Sequence, residues 1–368
     1  MIISAKEIRN KLMQTQDARR VYPKEEWLPT GCTLLNMACS GEPFAGWPPG
    51  SYVYIVGDSK SGKTFWALTC MAEACAHKSF QKHRLIYDGG ERGAQMDFKK
   101  FFGAKMAGKV EPPATKDGVP VPSKLIEDFY YNLDDAIKEK VPFIYVLDSM
   151  DALGSKYEDK KFNEGKKAHR ANTKAKGDYG DGKAKFNSRN LRAVLDKLEA
   201  MGSILIIISQ TRDNIDAGMF ESKKTRSGGK ALRFYADYEI WTSVGSKITK
   251  TFRSKDVQIG GHMVAHVQKN RGTGRERKIK LPIYYDHGFD DVGSCVDYLV
   301  EWKEWKKNQS GTIKASIPDA EFEMEAKREN IIQSILAEEL EDDLSQYVSE
   351  LWGKIEAKVA VTRKKRYE

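Results

Sequence analysis

Gly57-Asp58-Ser59-Lys60-Ser61-Gly62-Lys63-Thr64 has the spacing G-x-x-x-x-G-K-S/T. It follows an apolar run, Tyr52 to Val56, and precedes a stretch expected to be helical from Phe65 to Lys78. Strand, glycine-rich loop and helix in that order form a phosphate cradle. The glycines let backbone N–H groups turn inward, and the helix N-terminus adds its dipole. Lys63 is placed to neutralise terminal phosphates and the Thr64 hydroxyl to hold a divalent cation. Asp148 ends a second apolar run, Phe143 to Leu147, and is the expected carboxylate partner of that cation. Glu91, in "LIYDGGER", is the candidate for activating water, with Asp88 as runner-up.

These residues need a scaffold that brings strand ends together. Four apolar runs lie between helical stretches: Tyr52 to Val56, Arg84 to Asp88, Phe143 to Asp148 and Ile204 to Ile208. Such runs predict a parallel sheet buried on both faces, with ligands at the carboxyl ends of its strands. Two segments break the alternation. Residues 154–188 hold ten Lys/Arg against five Asp/Glu and few large aliphatics, and read as a mobile basic loop. The last strand run leads through Ser209-Gln210 into "TRDNIDAGMFESKKTRSGGK", a basic stretch with Phe220 inside it and Gly228-Gly229 at its end. Lys223, Lys224 and Arg226 suit phosphates, and an aromatic suits bases. Residues 189–201 predict an amphipathic helix through Leu191, Val194, Leu195 and Leu198.

The 368 residues carry a formal net charge of +9, with 40% hydrophobic and 31% charged side chains. That composition excludes a wholly disordered chain and is compatible with a polyanion partner. Five cysteines without a C-x-x-C pair support neither a disulfide framework nor a zinc knuckle. The first residues lack a signal-peptide layout, and no apolar run approaches the ~20 residues of a membrane span. The expectation is an intracellular, soluble protein.

The chain resembles the RecA-type recombinases, and phage UvsX-like proteins more than the bacterial ones, over roughly residues 28–300. The likeness rests on the segment leading into Gly57–Thr64, on "VLDSMDAL", on "SQTRDNIDAGMFESKKTRSGGKALRFYAD" and on "VQKNRGTG". It implies an α/β RecA-like P-loop ATPase core with a mostly parallel central sheet. A short N-terminal helical, oligomerisation segment (1–29) precedes that core (30–302), and a helical C-terminal region (303–368) follows it. By the same resemblance the cofactors are ATP and Mg²⁺, and Gln210 senses the γ-phosphate. Residues 211–229 form the second DNA loop, with Arg212, Met219, Phe220, Lys223, Lys224, Arg226, Gly228 and Gly229 as its working residues. The first DNA loop falls in 154–188 and includes Lys174 and Lys176. Lys269 and Arg271 complete a neighbouring subunit's ATP site.

The implied partners are single- and double-stranded DNA, other copies of the chain in a helical filament, and mediator or single-strand-binding proteins, with no membrane. Two other readings compete with strand exchange: a DNA-dependent helicase, loader or annealing mediator, and a small-molecule kinase, which leaves both basic segments unexplained. The tail from 303 carries no resemblance; a DNA-gathering domain, a partner module, a helical brace and an acidic autoinhibitory screen are all compatible with its residues.

Overall fold

The structure, a computed structural model, describes residues 22–90, 96–171, 182–213, 224–226 and 229–364. Its centre is a ten-stranded sheet. Five strands pair in parallel in the order β7 (Tyr238–Phe252), β1 (Tyr52–Gly57), β5 (Ile204–Asp213), β4 (Phe143–Asp148) and β2 (Arg84–Gly89). The short β3 (Val110–Glu111) extends the parallel part beyond β2. On the other side β8 (Lys255–Asn270), β9 (Arg277–Tyr284) and β10 (Gly288–Phe289) continue it antiparallel from β7. The short β6 (Lys224–Arg226) pairs antiparallel with the end of β5.

Strand alternation decides which core each residue enters. Val53 and Ile55 of β1 face one core with helix α2 (Lys63–Ala76), which supplies Trp66, Ala67, Cys70, Met71 and Ala74. Tyr52, Tyr54 and Val56 face the other, against α4 (Ile126–Lys138) and α6 (Gly182–Met201). All six residues of β1 and of β4 are buried. This two-sided burial explains why the runs are continuously apolar, and each large side chain so buried contributes about 1.5–3 kcal/mol. The five cysteines are free and buried.

The expectation for residues 154–188 needs correction. Lys156–Arg170 is a helix, α5, opened by Ser155, whose side chain accepts from Glu158 N at 3.1 Å. Glu158 and Asp159 lie in its first turn and Lys167, His169 and Arg170 in its last, which complements the helix dipole. It buries no side chain, so an apolar pattern could not reveal it. Helix α6 begins at Gly182 rather than near 189, and residues 172–181 lie outside the described ones, as do 1–21.

The C-terminal region is also not wholly helical. Lys306–Lys307, Thr312–Ile317 and Phe322–Lys327 form a separate three-stranded antiparallel sheet. Helices α9 (Arg328–Ala337) and α10 (Glu341–Val359) follow it. Phe322 is buried, Met324 and Ala326 are partly buried, and Glu323 and Glu325 point outward, a period of two inside an acidic composition. Ile313, Ile317, Ile331, Ile335, Leu344 and Val348 join the same core as Val53 and Ile55, so no break in packing marks residue 303.

Helix α1 (Thr33–Ser40) ties that region down. Thr33 donates from its backbone N and its hydroxyl to Asp291, both at 2.7 Å, and its Oγ1 lies 2.9 Å from Ser345 Oγ. Glu73 of α2 lines the same cavity with Asp290, Asp291, Glu341 and Asp342. Burial, then the Asp291 carboxylate, pushes the Glu73 carboxyl up to about 7. Between the unfolded carboxylate range and that value the folded chain binds more protons than the unfolded one, so stability falls as pH rises through this window. Glu73→Gln is therefore expected to match the parent near pH 5 and to exceed it by roughly 1–3 kcal/mol near pH 8 in urea unfolding. Equal differences at both pH values would contradict the assignment.

Candidate functional site

The parallel register sets the site. Gly57 at the end of β1 pairs with Gln210 of β5 on one side and Thr242 of β7 on the other. Glycine is required at 57, since a Cβ there would stand 2.0 Å from Thr242 Oγ1 and 2.8 Å from Ser61 Oγ. Gly62, at φ +88, turns the chain into α2. Ser61 is buried with its hydroxyl 2.7 Å from Thr242 Oγ1, whereas Ser59 and Lys60 are exposed at the loop tip.

Lys63 is 8% exposed and donates from Nζ to Gly57 O at 2.9 Å and Asp58 O at 2.6 Å, which holds the loop closed on its own cation. Thr64 Oγ1 donates to Asp148 Oδ2 at 2.7 Å. The two residues expected to share a cation are thus in contact, although they lie far apart in the chain. Tyr87 OH donates to the same Oδ2 at 2.9 Å. No sequence signal pointed to Tyr87, because a tyrosine in an apolar strand looks like core.

Asp151, in the turn after β4, is the second residue that sequence reasoning missed. Its Oδ2 accepts from Ser209 Oγ at 2.6 Å and from Gln210 N at 2.7 Å, and Arg212 lies 4.0 Å from Oδ1. Thr211 Oγ1 in turn donates to Asp58 Oδ1 of the phosphate loop. The end of β5 is therefore tied both to the loop and to the turn after β4.

Asp88 is not open to water. It is fully buried and accepts from Ser123 N at 2.9 Å, Ser123 Oγ at 2.6 Å and Tyr145 OH at 2.7 Å. Burial raises its carboxyl above the ordinary range, against the pull of those donors. It braces β2 against β4 and the segment before α4. Glu91 lies outside the described residues, as do Lys174, Lys176, Met219, Phe220, Lys223 and Gly228.

The expected second loop is in part a ribbon. Thr211, Arg212 and Asp213 pair with Arg226, Thr225 and Lys224. Gly229, at φ +83, opens the short helix α7 (Lys230–Tyr235), and a Cβ there would meet Ala184 Cβ at 2.7 Å.

Lys269 and Arg271 are not beside the phosphate loop of their own chain. Register places Lys269 opposite Glu239, three residues before Thr242 on β7. Lys269 Nζ donates to the Arg233 and Phe234 carbonyls at 3.0 and 2.8 Å. Arg271 donates to Asp237 Oδ1 at 3.0 Å and Phe234 O at 3.4 Å. Burial first, then Arg271, lowers the Lys269 pKa.

The donor set fits a bound nucleoside triphosphate with a hard cation. A loop of backbone amides at a helix N-terminus carries a buried lysine, and beside it stand a hydroxyl and a carboxylate in contact. Among the described residues no cluster of three or more His, Cys, Asp or Glu could hold a metal.

Asp151→Ala leaves Ser209 Oγ and Gln210 N without their acceptor. We expect a loss of about 1–3 kcal/mol in urea unfolding. An unchanged midpoint would show that the tie carries no load.

Residues 165–290 match the RecA N-terminal domain family model. Curated relatives include Protein RecA of Cutibacterium acnes, 27% identical over 327 residues, covering 82% of this chain and 81% of the relative. Protein RecA of Bacteroides thetaiotaomicron is 28% identical over 295 residues, covering 77% and 76%. That of Malacoplasma penetrans is 24% identical over 308 residues, covering 84% of both chains. With a mostly parallel sheet flanked by helices and a glycine-rich loop at the end of its central strand, the chain has a RecA-like α/β core and is similar to the RecA proteins.

Proposed function

We propose that the chain is an ATP-dependent DNA recombinase of the UvsX-like kind. In this reading it forms filaments on single-stranded DNA, pairs that strand with a homologous duplex and exchanges strands. One observation carries it: the residue paired with Gly57, Gln210, opens directly into the basic ribbon that holds the DNA-contacting candidates. A change at the nucleotide therefore has one peptide step to travel before it reaches the DNA side.

Lys63 and the loop amides would hold the phosphates, and Thr64 and Asp148 the Mg²⁺. Bound Mg²⁺–ATP supplies an activated phosphoryl group for transfer to water. Gln210 would sense the γ-phosphate, and Glu91 would orient the attacking water. Lys269 and Arg271 would act on a neighbouring copy, as an arginine finger does, which requires a filament. DNA contacts by Arg212, Lys224, Arg226 and the basic segment around Lys174 and Lys176 would be tolerant of sequence and sensitive to salt. Phe220, beside Met219, would stack on or wedge between bases, with Gly228 and Gly229 as hinge. No helix of the described residues is long and apolar enough to cross a membrane, and we place the protein in the cytoplasm of a bacterial cell or a phage-infected host.

ATP turnover measured with and without single-stranded DNA tests the reading. Stimulation by DNA is expected, and Lys63→Ala is expected to abolish turnover. A Lys63→Ala protein that hydrolyses at the parent's rate refutes the phosphate-loop role. Single-strand binding without pairing of a homologous duplex would instead favour a loader or annealing mediator.

Phe220→Ala is expected to weaken single-strand affinity by about 1–3 kcal/mol while leaving turnover without DNA unchanged. Parental binding across a salt series would remove the stacking role.

A further inference from the structure

Neighbouring residues of β2 face opposite ways. Asp88 turns toward Tyr145, whereas Tyr87 packs with the core that α2 covers. The register partner of Tyr87 on β4 is Val146, two residues short of Asp148. The phenol therefore reaches the Asp148 carboxylate on a diagonal, and the register partner of Asp148 itself is Gly89. A Cβ on Gly89 would stand 3.0 Å from Tyr87 Cε1 and 3.6 Å from Cζ. With no Cβ there, the ring leans close to Gly89 and its OH donates to Asp148 Oδ2 at 2.9 Å. The ring also meets Phe98 edge-on, with centroids 6.1 Å apart.

Two hydroxyls thus converge on one carboxylate oxygen, Thr64 Oγ1 from α2 and Tyr87 OH from β2. A hydroxyl that holds a cation through its oxygen must direct its proton elsewhere, and Asp148 Oδ2 is the acceptor of the Thr64 proton. The last torsion of an aspartate is broad, so a single donor leaves the carboxylate able to turn. A second donor, from a different element, fixes its plane. Packing against Phe98 alone would be served as well by a phenylalanine at 87, so the ring contact does not account for the hydroxyl.

We propose that Tyr87 is a positioning residue for the divalent cation. It holds the Asp148 carboxylate at the angle that keeps the Thr64 oxygen turned toward the metal, and Gly89 is the gap that lets the ring reach. The inference rests on the proposed Mg²⁺–ATP reading and adds to it the group that orients the cation's partners. Loss of a residue that orients a ligating group typically weakens metal binding by about 10- to 100-fold. The phosphates have no part in this role, so the effect belongs to the cation and not to the nucleotide.

The test measures binding of a fluorescent, slowly hydrolysed ATP analogue to the parent, Tyr87→Phe and Gly89→Ala, in EDTA and across a Mg²⁺ series. Affinity in EDTA is expected to stay within about twofold of the parent. The Mg²⁺ concentration for half-maximal effect is expected to rise roughly tenfold in Tyr87→Phe, which keeps the ring and loses the donor. Gly89→Ala, which keeps the donor and crowds the ring, is expected to shift it in the same direction. ATP turnover followed over the same Mg²⁺ series is expected to show the same displacement. An unchanged or lowered Mg²⁺ requirement in Tyr87→Phe overturns the inference. So does an equal loss of affinity with and without Mg²⁺, which would mark a merely structural role. If Tyr87→Phe does not fold, Gly89→Ala decides by the same criteria. A parent that binds the analogue equally well in EDTA and in Mg²⁺ overturns the cation reading of Thr64 and Asp148, and this inference with it.

Discussion

Everything around the Gly57–Thr64 loop depends on one alignment, the level at which the parallel strands stop. Gly57, Gln210 and Thr242 sit side by side in adjacent strands, and Gly89 pairs with Asp148. A slip of one residue in any pair would rotate that strand's side chains to the opposite face. It would carry Val53 and Ile55 into the core that Tyr52, Tyr54 and Val56 fill. Two differently shaped cores therefore hold the register, and the register holds the chemistry. The distance between Thr64 and Asp148 follows from how aromatic and branched side chains sort between the two faces.

The residues most readable from the chain are those whose role is local. The Gly57–Thr64 spacing contains its own geometry, and Asp148 and Gln210 stand out as polar groups ending apolar runs. Tyr87 and Asp151 were not readable because their partners come from other strands. Tyr87 reaches the carboxylate of β4, and Asp151 holds the end of β5. Asp88 also ends an apolar run, and only the structure shows that it is buried and accepts from Ser123 and Tyr145.

Secondary structure failed where burial was weak. Helix α5 has capping and dipole signals but no apolar face, so composition pointed to a loop. Phe322–Lys327 has a true period of two, yet two of its outward residues are glutamates and the strand merged with the acidic helices after it. In both cases charge composition outweighed the weaker geometric pattern. The same acidic composition hid how closely the C-terminal residues belong to the core, where Ile331, Ile335, Leu344 and Val348 pack with residues from the first third of the chain.

The burial of all five cysteines has a practical consequence. Burial pushes every one of these thiols up, so the folded chain presents no nucleophilic thiolate near neutral pH. The long β7–β8 hairpin, meanwhile, ends in a tip where Phe252 is 65% exposed and Arg253 and Ser254 take positive φ. One cysteine introduced at that tip would be the only site for a maleimide dye in an otherwise native chain. The protein is thus ready for single-site fluorescent labelling without removal of any natural residue from its core.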